Sequence, residues 1–206
     1  MDANDVRRTW RDRSGEFSPE YYAYYGPNET STSIRRHLER RVAKDAAVLE
    51  LGCGPGRHLA HLLTHGFENL HGIDINDDSF DVMADAYPEL AAEGRFYADA
   101  IEDVVTEFDD GQFDATYSIE TLQHIHPDDE WVFEDVARVT GDLLVTVENE
   151  GDERLPPSER GVNEHEYDFP LYYRDWERVF TEFGFVQVDV ERGERDTLRV
   201  FERRTA

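Results

Sequence analysis

The sequence contains little cysteine and no long apolar run, and both absences restrict the class of protein. Cys53 is the only cysteine among 206 residues, so no internal disulfide can form and the paired spacing of a zinc site is missing. No run of about 18 apolar residues, the length that spans a bilayer, occurs in the chain. The first residues, MDANDVRRTWRDRSGEF, are too polar for a secretory signal. We therefore expect a cytoplasmic protein that does not insert into a membrane.

Lysine is also nearly absent, and acidic residues greatly outnumber basic ones. Asp and Glu total 47 against 21 for Lys and Arg, so the formal net charge is −26. Because Lys44 is the single lysine, the other 20 of the 21 basic residues are arginine. Nucleic acids and anionic membranes are disfavoured as partners, since basic residues bind both. A surface of this kind is typical of proteins from salt-adapted organisms, although an arginine-rich codon preference would give the same bias.

Apolar runs alternate with helical patterns, which is typical of successive βα units on a parallel sheet. Five runs have the character of strands: AAVLELG, NLHGIDIN, RFYAD, FDATYSI and DLLVTVENE. One helix is predicted to open at His126 and Pro127, and another, YYRDWERVFTEFG, to end at Gly184. FVQVDVER and TLRVFERR flank the turn GERD and predict an antiparallel hairpin. The pattern predicts a doubly wound α/β fold with a seven-stranded, mainly parallel sheet and helices on both faces.

We interpret the chain, residues 1–206, as a single domain with four segments. Residues 1–45 are predicted to form a helical lid, residues 46–148 the binding core, residues 149–173 a loop near the substrate site, and residues 174–206 the C-terminal helix and hairpin.

Aromatic residues are concentrated in two of these segments. Those of the N-terminal segment either contact a ligand or pack a helix on the core; they are Trp10, Tyr21, Tyr22, Tyr24 and Tyr25. A second group is predicted to border the pocket for the substrate and comprises Tyr172, Tyr173, Arg174 and Trp176.

The most informative stretch is a glycine turn, ELGCGPG, which follows a strand and opens a helix. Backbone N–H groups at such a turn can approach a ligand, because glycine has no Cβ in the way and tolerates positive φ. A pyrophosphate fingerprint would need glycine at position 57, where this chain has Arg57. Dinucleotide binding, and with it a nucleotide-dependent oxidoreductase, is therefore disfavoured.

The glycine turn resembles the first motif of the class I S-adenosylmethionine-dependent methyltransferases, whose fold is Rossmann-like. The resemblance continues in order through GIDIN, FYADAIED and FDATYSIETLQHI, which are similar to the motifs of the second, third and fourth strands. It covers residues 46–148 well and extends, through YYRDWERVFTEFGFVQV, to the C-terminal helix and strand of small-molecule-type members. It implies that S-adenosyl-L-methionine is the cofactor.

The resemblance also implies which residues bind that cofactor. Asp74 would accept hydrogen bonds from both ribose hydroxyls, and Asp99 would accept one from the adenine amino group. The Ala100 N–H would donate to a nitrogen of the adenine ring. Arg57 reaches the ligand carboxylate or points to solvent. The implied set is Glu50, Gly52, Gly54, Arg57, Asp74, Ile75, Asp99, Ala100 and Ser118. Local roles remain as alternatives: Glu50 as a buried carboxylate bonded to N–H groups, and Asp74 and Asp99 as turn formers.

Methyl transfer needs a base only if the acceptor arrives protonated. The candidate bases are His124, His126, Glu120 and His165, among which His124 and Glu120 are retained as catalytic candidates. Because His124 follows the fourth strand where the family often has a histidine, structural support is the preferred interpretation of it.

No metal site is predicted, although two histidine patterns resemble one. HIHPDDE fits a helix start, because proline suits the first position and acidic residues suit the positive end of the helix dipole. His58, His61 and His65 share one helical face, which we interpret as an exposed stripe.

The sequence therefore predicts a methyltransferase (EC 2.1.1.-) that acts on a small molecule. A binding protein for S-adenosylmethionine or S-adenosylhomocysteine without catalysis and a protein-directed methyltransferase remain alternatives. The acceptor atom and the oligomeric state are not encoded in any recognisable pattern.

Overall fold

A computed structural model describes residues 1–152, 154–155, 160–163 and 168–204 of the chain. The α-helices are α1 (Ala3–Arg11), α2 (Pro19–Tyr25), α3 (Glu29–Glu39), α4 (Arg57–Leu63), α5 (Asp78–Ala86), α6 (Pro88–Glu93), α7 (Ile101–Val104), α8 (Val132–Val139) and α9 (Trp176–Glu182). The strands are β1 (Ala47–Leu51), β2 (Asn69–Asp74), β3 (Arg95–Ala98), β4 (Phe113–Ile119), β5 (Thr140–Asn149), β6 (Val162–Asn163), β7 (Leu171–Tyr172), β8 (Phe185–Arg192) and β9 (Asp196–Arg203).

Seven of these strands form one sheet in the order β3-β2-β1-β4-β5-β9-β8. The first five pair in parallel, whereas β9 runs antiparallel to both β5 and β8. The predicted α/β fold and its C-terminal hairpin are thus confirmed. Strand order reverses between β1 and β4, and the carboxyl ends of strands at such a switch point form a crevice.

Two apolar clusters bury the two faces of the sheet. Leu49 and Leu51 of β1 belong to the cluster that includes Phe133, Trp176 and Phe180, whereas the adjacent Val48 belongs to the cluster under α3 and α4. Successive side chains of a strand point to opposite faces, so a strand buried on both sides is apolar at nearly every position. This explains the continuous apolar runs of the parallel strands.

Two elements differ from the expectations. The helix expected at His126 begins with a 3-10 turn at Pro127–Asp129, and α8 starts only at Val132. The loop expected over residues 149–173 contains a short antiparallel ladder of β6 and β7, and its start is still part of β5. Among the described helices, none has the length and apolar character needed to cross a membrane.

The net charge leads to a first prediction about stability. With a formal charge of −26, self-repulsion destabilises the folded chain, and concentrated salt screens it. We expect a higher melting temperature in 2 M KCl than in dilute buffer; a gain of about 1 kcal/mol would raise it by about 2–4 °C. The same comparison near pH 4.5, the isoelectric point, is the control, because little net charge remains there to be screened. Equal melting temperatures in the two buffers at pH 7 would contradict salt adaptation.

Candidate functional site

A cavity lies at the switch point, above the carboxyl ends of β1, β2 and β4. The glycine turn after β1, the residues after β2 and the 120–126 loop after β4 form its floor. Residues of α1 and α2, among them Trp10 and Tyr22, lie across it. The cavity therefore occupies the position at which open α/β sheets bind ligands.

The three glycines of the turn have positive φ but differ in what surrounds them. Their φ angles are +68° at Gly52, +51° at Gly54 and +80° at Gly56. A Cβ at Gly52 would overlap the Thr121 side chain, and one at Gly56 would overlap Leu90 and Met83. A Cβ at Gly54 would meet nothing within 4 Å, although Gly54 lines the cavity. Two glycines thus serve packing, and Gly54 keeps the cavity itself free.

Asp74, at the end of β2, connects that strand to the glycine turn. Its Oδ2 accepts the Gly54 N–H at 2.7 Å, and its Oδ1 accepts the Asn76 N–H at 2.9 Å and the Ser79 hydroxyl at 3.2 Å. Burial raises the pKa of Asp74, and these three donors oppose the rise. A carboxylate offers about four acceptor positions, so about one remains for a ligand hydroxyl without rearrangement.

Glu50 is a buried carboxylate at the end of β1 that lines the cavity. The Tyr117 hydroxyl donates to its Oε2 at 2.9 Å, and within the described part of the chain no arginine, lysine or histidine forms an ion pair with it. Burial raises the pKa of Glu50 well above the usual range, which the Tyr117 hydrogen bond opposes. A positively charged ligand in the cavity would stabilise the ionised form.

Arg57 is oriented by its neighbours towards the cavity. Its guanidinium lies 4.8 Å from the centre of the Tyr22 ring, and its Nε donates to His58 Nε2 at 3.1 Å. His58 in turn bonds through Nδ1 to the Ser31 hydroxyl at 2.8 Å. Burial, followed by the charge of Arg57, lowers the pKa of His58 well below its usual value. The buried His58 corrects the expectation of an exposed stripe with His61 and His65, because α3 packs over α4.

The third-strand residues lie less deeply than expected. The Asp99 side chain is 55% exposed and its Oδ1 accepts the Ala100 N–H at 2.8 Å, so Asp99 acts as a turn former at the rim. Ala100 lines the cavity, as do Ile75 and the unpredicted Glu102. Glu102 is buried and accepts Arg7 Nε of α1 at 3.2 Å.

Ser118, like Asp99, is a predicted binding residue that does not line the cavity. Side chains alternate along β4, so Tyr117 faces Glu50 whereas the Ser118 hydroxyl donates to the buried Glu148 of β5. This placement corrects the expectation that Ser118 contacts the cofactor.

The 120–126 loop is fixed from two sides by two buried ionisable side chains, Glu148 and Arg174, that the sequence did not indicate. Glu148 accepts the backbone N–H groups of Leu122 at 3.1 Å and Gln123 at 3.2 Å; burial raises the pKa of Glu148 to about 8, and these bonds oppose the rise. Arg174, also buried, donates to the carbonyl oxygens of Ile125 at 2.6 Å and Leu122 at 3.4 Å. Both residues are distant along the chain, and no local pattern marks them.

His124 and Glu120, the two catalytic candidates, both lie in the cavity wall. His124 Nδ1 lies 3.3 Å from the Pro170 carbonyl oxygen, which only accepts, so this nitrogen carries the hydrogen. Burial lowers the pKa of His124 to about 3, hence the ring is neutral near pH 7 and a weak base. Its ring packs against Trp10 and Phe169, which agrees with structural support.

The remaining candidates contribute less to the site. His126 lines the cavity and its Nδ1 accepts the Asp128 N–H at 3.1 Å, as a helix start requires. His165 lies outside the described residues. Within those residues, one group, His37, Asp189 and Glu191, has the ligand spacing of a metal site, and Arg41 Nη1 lies 3.3 Å from His37 Nδ1.

The N-terminal segment contacts the cavity through a cluster around Arg13. The Arg13 guanidinium lies 5.0 Å from the Phe169 ring centre and 5.6 Å from that of Phe17, and its Nη1 donates to both Asp168 oxygens. Tyr24 and Tyr25 point outwards, with 85% and 60% exposure. The predicted acceptor-side group does not line the cavity; Trp176 is fully buried in the core.

A family profile described as "Methyltransferase domain" matches residues 48–142. The bifunctional methyltransferase/kinase WbdD of Escherichia coli is 30% identical over 92 residues, which are 43% of this chain and 13% of that protein. The O-methyltransferase cnsE of Penicillium expansum is 26% identical over 180 residues, 82% of this chain and 65% of that protein. The matched region thus spans less than two thirds of either relative.

Solved structures share the fold across nearly the whole chain. Geranyl diphosphate C-methyltransferase from Streptomyces coelicolor A3(2), solved with Mg2+, geranyl diphosphate and S-adenosyl-L-homocysteine, superimposes with a TM-score of 0.71. The sequence identity is 12%, and 98% of each chain is covered.

Proposed function

Because residues 48–142 form a class I, S-adenosylmethionine-dependent methyltransferase domain, we propose that this chain transfers a methyl group from S-adenosylmethionine to a small-molecule acceptor. The observation that carries the proposal is the pairing of the open space at Gly54 with the buried carboxyl group of Glu50, which forms no ion pair with the described residues. A ligand without phosphates that carries an ammonium and a sulfonium suits an acidic floor of this kind. The strongly acidic chain favours a small acceptor over a nucleic acid.

The residues fit the cofactor part by part. Glu50 lies where it can compensate a positive charge of the ligand, Arg57 where it can pair with a carboxylate, and Asp74 where it can accept a ribose hydroxyl. Ala100 and Ile101 supply an apolar wall beside the third strand.

S-adenosylmethionine supplies an already activated methyl group, so orientation and exclusion of water provide much of the catalysis. Trp10 and Tyr22 line the cavity and supply aromatic surface that would displace water around a bound ligand. The ordered 120–126 loop, fixed by Glu148 and Arg174, provides the wall on the side where an acceptor would enter.

Titration calorimetry in molar KCl with S-adenosylmethionine, S-adenosylhomocysteine and NAD tests the proposal. We expect both adenosyl ligands to bind and NAD not to bind. If the adenosyl ligands bind but S-adenosylmethionine incubated with small acceptors yields no S-adenosylhomocysteine, the chain is a binding protein without catalysis. Binding of NAD alone would contradict the proposed function.

Asp74→Ala is expected to weaken S-adenosylhomocysteine binding by about 1–3 kcal/mol, because the ribose loses an acceptor and the glycine turn loses the bond to Gly54. Calorimetry of the variant beside wild type measures the change. Asp77→Ala is the matched control, since Asp77 is exposed and caps no N–H of α5. Unchanged affinity in Asp74→Ala would show that the ribose lies elsewhere.

A further inference from the structure

Glu120 has a backbone conformation that side chains rarely adopt. Its φ is +49°, in the left-handed region, and residues other than glycine are held there only when their surroundings enforce it. The enforcing contacts are visible: its N–H donates to the Val147 carbonyl at 2.8 Å, and Thr121 beside it packs against Gly52. This conformation places the Glu120 side chain in the cavity wall, next to the glycine turn.

A second carboxyl group, from a distant part of the chain, meets Glu120 there. Asp196 is the first residue of β9, opposite Asn149 of β5, and its carboxyl group lies close enough to that of Glu120 for Arg195 to contact both. Asp196 Oδ1 is buried and accepts no hydrogen bond from the described residues. Burial, followed by the charge of Glu120, raises the pKa of Asp196 to about 7. Two adjoining carboxyl groups of this kind hold one proton between them.

The other charged and titratable groups around Glu120 and Asp196 do not take up a proton near pH 7. Arg195 lies between the two carboxyl groups, with Nη2 3.5 Å from Glu120 Oε2 and Nε 3.9 Å from Asp196 Oδ1, and its charge opposes the rise in the pKa of Asp196. Burial, and then the charge of Glu120, raises the pKa of Tyr22 to about 12, so Tyr22 remains neutral. His124 is neutral as well, and Arg57 lies beyond the Tyr22 ring. Among these described groups, Asp196, beside Glu120, is therefore the one whose pKa lies near neutral pH.

We propose that Glu120 and Asp196 form the proton-accepting pair of the acceptor site, in which Glu120 takes the proton and Asp196 is a positioning residue that shares it. The inference rests on the proposed function and adds the class of acceptor: a hydroxyl or a protonated amine. As the bond from oxygen or nitrogen to the methyl carbon forms, the carbon–sulfur bond breaks and its electron pair stays on sulfur. A hydroxyl passes its proton to the Glu120 carboxylate as this bond forms. A protonated amine passes its proton there before the bond forms, because an ammonium nitrogen has no electron pair with which to attack. The pair later returns the proton to solvent.

The test uses two ligands that differ in charge at the reacting position. Sinefungin carries an ammonium group where S-adenosylmethionine carries its methylsulfonium, whereas S-adenosylhomocysteine is neutral there. Calorimetry at pH 7 in buffers of different ionisation enthalpy measures the protons released on binding. Since the pKa of Asp196 is about 7, wild type should release up to about half a proton more with sinefungin than with S-adenosylhomocysteine.

Asp196→Asn should abolish that difference, because the titrating carboxyl group is removed. Glu120→Gln should reduce it, because burial then raises the pKa of Asp196 without the charge of Glu120. Glu194→Gln, a change to an exposed glutamate in the same turn, is the control and should behave as wild type. If Asp196→Asn releases as many extra protons with sinefungin as wild type does, the proposal is overturned.

A ligand-free measurement separates failure of this inference from failure of the proposed function. Infrared titration follows the carbonyl stretch of protonated carboxyl groups. Wild type should lose one such signal near pH 7; Asp196→Asn should lack this signal, and Glu120→Gln should lose it at lower pH. If S-adenosylhomocysteine does not bind while this signal behaves as expected, the proposed function fails and the shared proton stands. If the signal is the same in wild type and both variants, the pair is refuted whatever binds.

Discussion

Gly54→Ala is expected to weaken S-adenosylhomocysteine binding at least about 100-fold, or about 2.7 kcal/mol, while the protein stays folded. The added Cβ meets no protein atom within 4 Å, so it does not disturb packing, but it projects from a residue that lines the cavity. The positive φ of +51° costs the alanine about 1–2 kcal/mol of stability. Calorimetry for binding and thermal unfolding for stability measure the two effects separately.

Two other glycines make this prediction specific. Gly66→Ala introduces the same kind of backbone strain, with φ +85° and no neighbour within 4 Å, at a residue that does not line the cavity. It should lose similar stability and bind normally. Gly52→Ala, which overlaps Thr121, should instead unfold the turn and lower the melting temperature further. Equal affinities of the Gly54 and Gly66 variants would place the ligand away from the glycine turn.

Arg174→Met is expected to destabilise the fold by about 3 kcal/mol or more, because buried carbonyl groups lose their donor. The carbonyls of Ile125, Leu122 and Tyr172 accept from Arg174 at 2.6, 3.4 and 3.3 Å. Methionine keeps much of the volume but donates no hydrogen bond. For a chain of this length, about 3 kcal/mol corresponds to about 6–12 °C in melting temperature.

Arg178→Met is the control for Arg174→Met, because Arg178 lies only four residues further along the chain, in α9. Arg178 is 75% exposed and pairs with Glu182 on the same helix, so its loss should change the unfolding free energy by less than about 0.5 kcal/mol. The Arg174 variant should also bind S-adenosylhomocysteine more weakly, since the 120–126 loop forms one cavity wall. Equal stability of the two variants would show that the loop is held by Glu148 alone.

The predictions from local pattern were the most successful. The glycine turn, the acidic residue Asp74 after β2 and the C-terminal hairpin each depend on residues close together in the chain, and each lies where the pattern indicates. Arg57, for which the sequence left two orientations open, faces the cavity because Tyr22 and His58 hold it there. The direction of a surface arginine depends on contacts that no local pattern contains.

The predictions that failed involve the direction of side chains and contacts at long range. Ser118 follows the fourth-strand motif but points to Glu148, because adjacent residues of a strand face opposite sides. Trp176 lies in the core beside Phe133, because α9 turns its aromatic face towards the sheet.

By itself, the sequence determined the fold class, the order of its strands along the chain and the glycine turn, because hydrophobic period, strand ends and positive-φ glycines are local properties. Only the tertiary structure decided which charges meet: Glu148 and Arg174 at the 120–126 loop, and Asp196 at Glu120. Those encounters depend on β5 and β9 being neighbours in the sheet. Protonation depends on burial and on the nearest charge, both of which arise only when distant segments pack together.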